Sequence, residues 1–130
     1  MFWLVVANKL HYEQRSITRM ESSVPEIQIY QTEEKDSPFE NWLDNLNDIK
    51  AKARILQRID RIALGNFGDC EPVGDGVHEL RIDYGPGYRV YFGNDGRRLV
   101  ILLCGGTKRQ QGKDIKKAKK YWEDYKLRKK

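Results

Sequence analysis

The sequence predicts an α+β domain, a compact antiparallel sheet with a helical hairpin and a C-terminal helix. Three observations carry that expectation. Residues 26–32 alternate apolar and polar side chains, residues 39–63 hold two apolar stripes at helical spacing, and residues 77–104 hold three short strand-like runs separated by turn residues. A chain of 130 residues has room for one domain of ordinary size.

Each element has its own signal. Glu26, Gln28 and Tyr30 alternate with Ile27 and Ile29 in the period of two that marks a half-buried strand. Asp36-Ser37-Pro38 supplies a capping residue and then a proline suited to a first helical position. Phe39, Trp42, Leu43 and Leu46 follow at i, i+3, i+4 and i+7, which makes one amphipathic helix. Asn47-Asp48 caps a second, whose stripe is Ile55, Leu56, Ile59, Ile62 and Ala63, and Gly65 is placed to end it. A loop with Gly68, Pro72, Gly74 and Gly76 comes next. Strands are expected at 77–82, 88–92 and 98–104, and their short turn-rich connections make an antiparallel meander. The last strand is apolar on both faces and suits a central position. A final helix over about 113–127 puts Ile115, Ala118, Trp122 and Tyr125 on one side. The order β-α-α-β-β-β-α is expected to pack its helices mainly on one sheet face.

Composition narrows the function classes. Hydrophobic residues at 39% suffice for a modest core, so the 33% charged fraction reads as a wet surface and not as disorder. The net charge of +5 is concentrated at one end, because residues 105–130 hold eleven Lys and Arg against three Asp and Glu. That end suits a polyanionic partner or simply water. Two cysteines, Cys70 and Cys104, cannot build a disulfide framework and fit a reducing, cytoplasmic setting. The apolar run 1–7 has neither the basic flank nor the cleavage pattern of a signal peptide and is too short for a membrane span, so no membrane association is expected. Residues 1–19 differ in character from the rest and read as an N-terminal extension to a domain at 20–130.

Strand parity separates Leu80, Ile82, Tyr88, Val90 and Phe92, expected in the core, from Glu79, Arg81, Arg89 and Tyr91 on the other face. If the helical hairpin covers the first set, the second forms an open cationic and aromatic face beside Lys108 and Arg109; ordinary solvated strand residues are the plainer reading. No metal site is expected, since His11, His78, Cys70 and Cys104 lack ligand spacing. No G-x-S-x-G turn supports a serine triad, and His78 shares the inward parity of Leu80. Gly105-Gly106-Thr107-Lys108 ends a strand without the spacing of a phosphate loop. Lys113, Lys116 and Lys117 suit either a solvated helix face or an RNA-facing one.

The segments Phe39-Glu40-Asn41-Trp42-Leu43, His78-Glu79-Leu80-Arg81-Ile82, Gly87-Tyr88-Arg89-Val90-Tyr91-Phe92, Leu102-Leu103 with Lys108-Arg109, and Lys116-Lys117-Ala118 resemble, in this order and spacing, the phage-derived Gp49-like or HigB-like addiction-module killer proteins of the RelE toxin superfamily. The resemblance spans about residues 26–126, and its specific part is the strand pair. It implies a microbial-RNase-like sheet and a type II toxin that cuts mRNA in the ribosome, needs no cofactor, and is blocked by a cognate antitoxin, often of helix-turn-helix type. Carried over by position, Arg81, Arg89 and Lys108 or Arg109 match the basic positions of such sites. The chain departs from the pattern at Ile115, about where several members carry a catalytic tyrosine.

The chemistry implied is attack of an RNA 2′-hydroxyl on its own phosphate, with cationic donors stabilising the charge that develops. Arginine suits this through its planar fork and permanent charge. On this expectation Arg89 stabilises the transition state, Arg81 binds phosphate, and Lys108 or Arg109 meets the leaving group or the backbone. Tyr91 is a candidate to stack a base. Glu79 is a weak candidate base, and Tyr91 is another. Two rival readings use the same scaffold: a ParE-like toxin that binds gyrase without cutting RNA, and an inactive module kept for antitoxin pairing.

Overall fold

The computed structural model describes residues 24–96 and 98–129. The proposed extension at 1–19 lies outside the described residues. The elements are β1 (Glu26–Ile29), α1 (Pro38–Asp44), α2 (Ile49–Ala63), β2 (Cys70–Gly74), β3 (Val77–Ile82), β4 (Tyr88–Asp95), β5 (Leu99–Thr107), a 3-10 turn (Lys108–Gln110) and α3 (Gln111–Lys129).

Local chemistry sets the helix ends. The Ser37 hydroxyl accepts the Glu40 N–H at 3.2 Å, with Pro38 at the first helical position. Asp48 Oδ1 accepts the N–H groups of Lys50 and Ala51 at 3.0 and 3.1 Å. Gly65, at φ +92°, closes α2: the Gly65 and Asn66 amides donate to the carbonyls of Ile62 and Arg61.

The five strands lie in the order β1-β5-β4-β3-β2, with β1 parallel to β5 and every other pair antiparallel. β5 is interior, as its two apolar faces predict. β2 stands where a loop was expected. It forms a hairpin with β3 through Asp75-Gly76, whose φ values of 56° and 87° make a two-residue turn of the type that Asp-Gly favours. Pro72 and Gly74 hid the strand, and its edge position is what tolerates them.

The helices do not share one face. α1 and α2 cover Leu80, Ile82, Tyr88, Val90, Phe92 and Leu102, while α3 covers the opposite face, where Val77, Tyr91, Ile101 and Leu103 pack with Ala118 and Trp122. The reason lies in β5. Its Ile101 and Leu103 give the second face an apolar patch that the pattern of β3 and β4 alone does not show. A bulge between Tyr91 and Phe92 lets Leu103 and Cys104 both join that patch. Gly93 lies directly beneath the Trp122 ring, with no room for a Cβ.

Candidate active site

Register assembles the predicted residues. Arg81 lies opposite Arg89, and Glu79 opposite Tyr91, on the face that α3 covers. Glu79 is at their centre and fully buried (0% exposed). Its Oε1 accepts from Arg81 Nε at 3.0 Å, while its Oε2 accepts from Tyr91 OH at 3.1 Å and Gln111 Nε2 at 2.6 Å. Arg89 Nε lies 3.7 Å from the same Oε2, close enough for charge pairing but too far for a hydrogen bond. The buried carboxylate thus holds Arg81 by a hydrogen bond and Arg89 by charge alone, with the two arginines side by side on neighbouring strands.

The two arginines differ in what remains free. Arg81 is half-buried and spends a second donor, Nη2, on Glu71 at 2.9 Å, while Arg58 holds its backbone carbonyl. Its hydrogen bond to Glu79, with Glu71 beside it, raises its pKa further. Arg89 is 8% exposed; its Nη1 donates to the Tyr88 carbonyl at 3.2 Å and reaches toward Gly87 and Lys108. Lys108 is itself held there, since its backbone N–H donates to the Gly87 carbonyl at 2.7 Å. The tip of Arg89, the turn at Gly87 and Lys108 thus share one end of the sheet.

The open sheet face expected from alternation is not what forms. Parity is right, but α3 lies over it. Tyr91 is 0% exposed with its hydroxyl bound to Glu79, which leaves no ring face for a base to stack on. Burial, with Glu79 beside it, pushes its phenol pKa far upward, so Tyr91 is a poor general base. Glu79 is equally unsuited, because both its oxygens are occupied and out of contact with solvent. Ile115 is half-buried and packs into the second core cluster. Lys108, Arg109, Lys113, Lys116 and Lys117 are exposed, the first two on the 3-10 turn and the others along α3.

Two participants escaped the sequence reading. Gln111 sits in a polar stretch with nothing to distinguish it. Asp114 had a signal, since it falls at i relative to Ala118 at i+4 and Trp122 at i+8, on the buried stripe of α3. His78 stacks on Phe92 at 5.4 Å between ring centroids, with the inward parity expected, although its buried Nδ1 has no hydrogen-bond partner among the described residues. Cys70 and Cys104 are both free thiols. Among the described residues, no three of His, Cys, Asp and Glu gather as a metal-ligating group. No helix among them is long and apolar enough to cross a membrane.

The strand pair that carries Arg81 and Arg89, together with α2 and most of α3, falls inside residues 41–123, which match the model of the phage-derived protein Gp49-like family (DUF891). The chain belongs to that family. Gp49-like proteins are related to the toxins of toxin–antitoxin modules. A Haemophilus influenzae Rd protein, described as an uncharacterized protein, is 58% identical to this Gp49-like chain over 81 residues, covering 62% of the chain and 82% of its own length.

Proposed function

We propose that this chain is the toxin of a type II toxin–antitoxin module and cleaves mRNA on the ribosome without a metal ion. The observation that carries the reading is the pair of arginines flanking one buried carboxylate, with the Arg89 tip and Lys108 brought together at the end of the sheet. Such donors are preorganised for the charge that develops on a phosphoryl group in flight. The RNA 2′-oxygen attacks phosphorus and its proton passes to water. The P–O5′ bond breaks, and the departing oxygen takes a proton at the Lys108 end of the site. Arg89 is the main donor to the phosphoryl oxygens. Arg81, already paired with two carboxylates, binds more weakly, and Arg109, Lys113, Lys116 and Lys117 guide the backbone. A cytoplasmic location and a helix-turn-helix antitoxin complete the proposal.

The test is cleavage of ribosome-bound mRNA in EDTA, with analysis of the ends. The expected products carry 2′,3′-cyclic or 3′-phosphate and 5′-hydroxyl groups, and a 2′-deoxy substitution at the scissile nucleotide blocks the cut. Cleavage of the deoxy substrate overturns the mechanism. Intact mRNA with inhibited gyrase replaces it with the binding-toxin reading.

A further inference from the structure

β5 outruns its parallel neighbour. β1 pairs only with Leu99 to Leu102, and Tyr30 N–H donates to the Leu102 carbonyl, so among the described residues the end of β5 continues along β4 alone. The Lys108 N–H bond to Gly87 sets the ladder's phase. Counting back in twos makes Arg89 and Gly106 a hydrogen-bonded pair, and Gly105 and Thr107 turn their own N–H and C=O groups outward, away from β4. A cavity of about 340 Å³ opens at this edge between α1 and α3, with Trp42, Gly105, Gly106, Asp114, Lys117 and Tyr121 among its lining residues. The glycines are required there, because a Cβ on Gly105 would strike the Trp42 ring and one on Gly106 the Asp114 carboxyl.

Asp114 is the anomaly. It is 6% exposed and lines this cavity, yet its Oδ2 has no hydrogen-bond partner among the described residues. A buried acceptor without a donor is destabilising, and a ligand that brings N–H groups relieves it. We propose that the cavity is a nucleobase subsite that takes guanine in preference, with Asp114 as acceptor and Trp42 and Tyr121 as aromatic walls. The inference rests on the RNA-cleaving reading of the neighbouring site and names its sequence preference. Gly106, on which the carboxyl rests, lies directly opposite Arg89, so base and phosphate sites share one rung of the ladder.

Charge selects the occupant. Burial raises the Asp114 pKa, Lys117 and Lys113 beside it oppose that rise, and the positive charge of the two lysines disfavours an incoming lysine or arginine from a protein partner. A nucleotide brings a neutral base to the carboxylate and a phosphate to the lysines. Among the four bases, guanine alone sets two adjacent N–H donors, N1 and N2, against the two oxygens of one carboxylate.

The experiment titrates the full chain with the 2′-O-methyl trinucleotides UGU, UAU, UCU and UUU, followed by NMR and calorimetry. UGU is expected to bind about tenfold more tightly than UUU, as a two-bond base contact warrants, with shifts centred on Gly105, Gly106 and the Trp42 indole. Asp114→Asn, nearly isosteric, should erase the preference, and Lys117→Ala, at an exposed position, should weaken all four ligands alike. Equal affinities, a preference that survives Asp114→Asn, or shifts elsewhere overturn the proposal. So does a basic antitoxin peptide that perturbs these resonances when no trinucleotide does. Because 2′-O-methyl RNA lacks the attacking hydroxyl, this readout is independent of cleavage. Cleavage of natural RNA without base preference sinks the subsite alone, and guanine preference without cleavage sinks the enzyme reading alone.

Discussion

Glu79 organises the site without any need to exchange a proton in it. Its oxygens are saturated by Arg81, Tyr91 and Gln111, and Arg89 adds a charge at 3.7 Å. Removing one partner of a buried ion pair leaves the other uncompensated, so Glu79→Gln should cost about 3 kcal/mol in urea unfolding and lower cleavage with it. A variant as stable as the parent counts against the hub. Arg89→Lys separates charge from geometry, since lysine keeps the charge near Glu79 but cannot offer a planar fork. Its thermal melt should stay close to the parent's while ribosome-dependent cleavage falls about 100-fold, the lower end of what loss of one transition-state donor produces. A folded Arg89→Lys chain with full activity removes Arg89 from the role. Cys104 offers a separate check on packing. Burial, with Asp114 beside it, pushes its thiol up to about 12, so it should resist alkylation at pH 8 in the native chain and react once urea unfolds it.

The closing helix α3 is fastened along its length. Asp114 rests on Gly106, Trp122 lies over Gly93, Tyr125 OH donates to Asp95 at 2.9 Å, Tyr30 OH donates to Asp124 at 2.5 Å, and Lys129 reaches Asp95 at 2.7 Å. The Tyr30 and Tyr125 phenols are raised to about 12, by burial first and then by their carboxylate partners. A raised folded pKa stabilises fully below the unfolded value of about 10 and is lost as pH climbs through 12. Asp95 and Asp124 are lowered, by hydrogen bonds from Lys129 and Tyr30 respectively, so their contribution is present above the usual carboxylate range and lost as pH falls through the lower folded values. Melting temperature should therefore be level across the middle of the pH range and fall on both sides, and Tyr30→Phe should flatten the alkaline limb. Trp122→Ala should cost about 3–5 kcal/mol, because it empties the space above Gly93. The ends of α1 and α2 were legible because Ser37, Pro38, Asp48 and Gly65 act within a turn of themselves. The covering of Tyr91 was not, since alternation reports which side chains share a face and says nothing of what lies over it. β2 was hidden for a related reason: Pro72 disqualifies a central strand, and only the tertiary edge position makes it acceptable. The carboxyl of Asp114 was readable as an acid on an apolar stripe, once such a stripe is allowed to contain one.

At the scale of the molecule, helices cover both faces of one sheet, and the proposed site lies at the end of the sheet that carries Gly87, Arg89 and Lys108. An antitoxin that silences this chain has two routes: to cover the basic end near Lys108 and Arg109, or to lift α3 away and dismantle the arginine pair. The fold decides between them. Lifting α3 strips Val77, Tyr91, Ile101 and Leu103 of their cover and removes Gln111 from Glu79, exposing a full apolar face and taking one hydrogen-bond donor from a buried carboxylate. Covering the basic end asks only for an acidic or amphipathic segment placed over exposed basic side chains, with little rearrangement of this chain. The expected complex therefore keeps α3 seated. Hydrogen exchange on the chain with and without its antitoxin should show new protection around Gly87, Lys108 and Arg109, while the amides of α3 from Ala118 to Tyr125 exchange no faster than before. Accelerated exchange along α3 in an inhibited complex would show displacement instead, and the dependence of the arginine pair on Gln111 would then be the switch by which the antitoxin works.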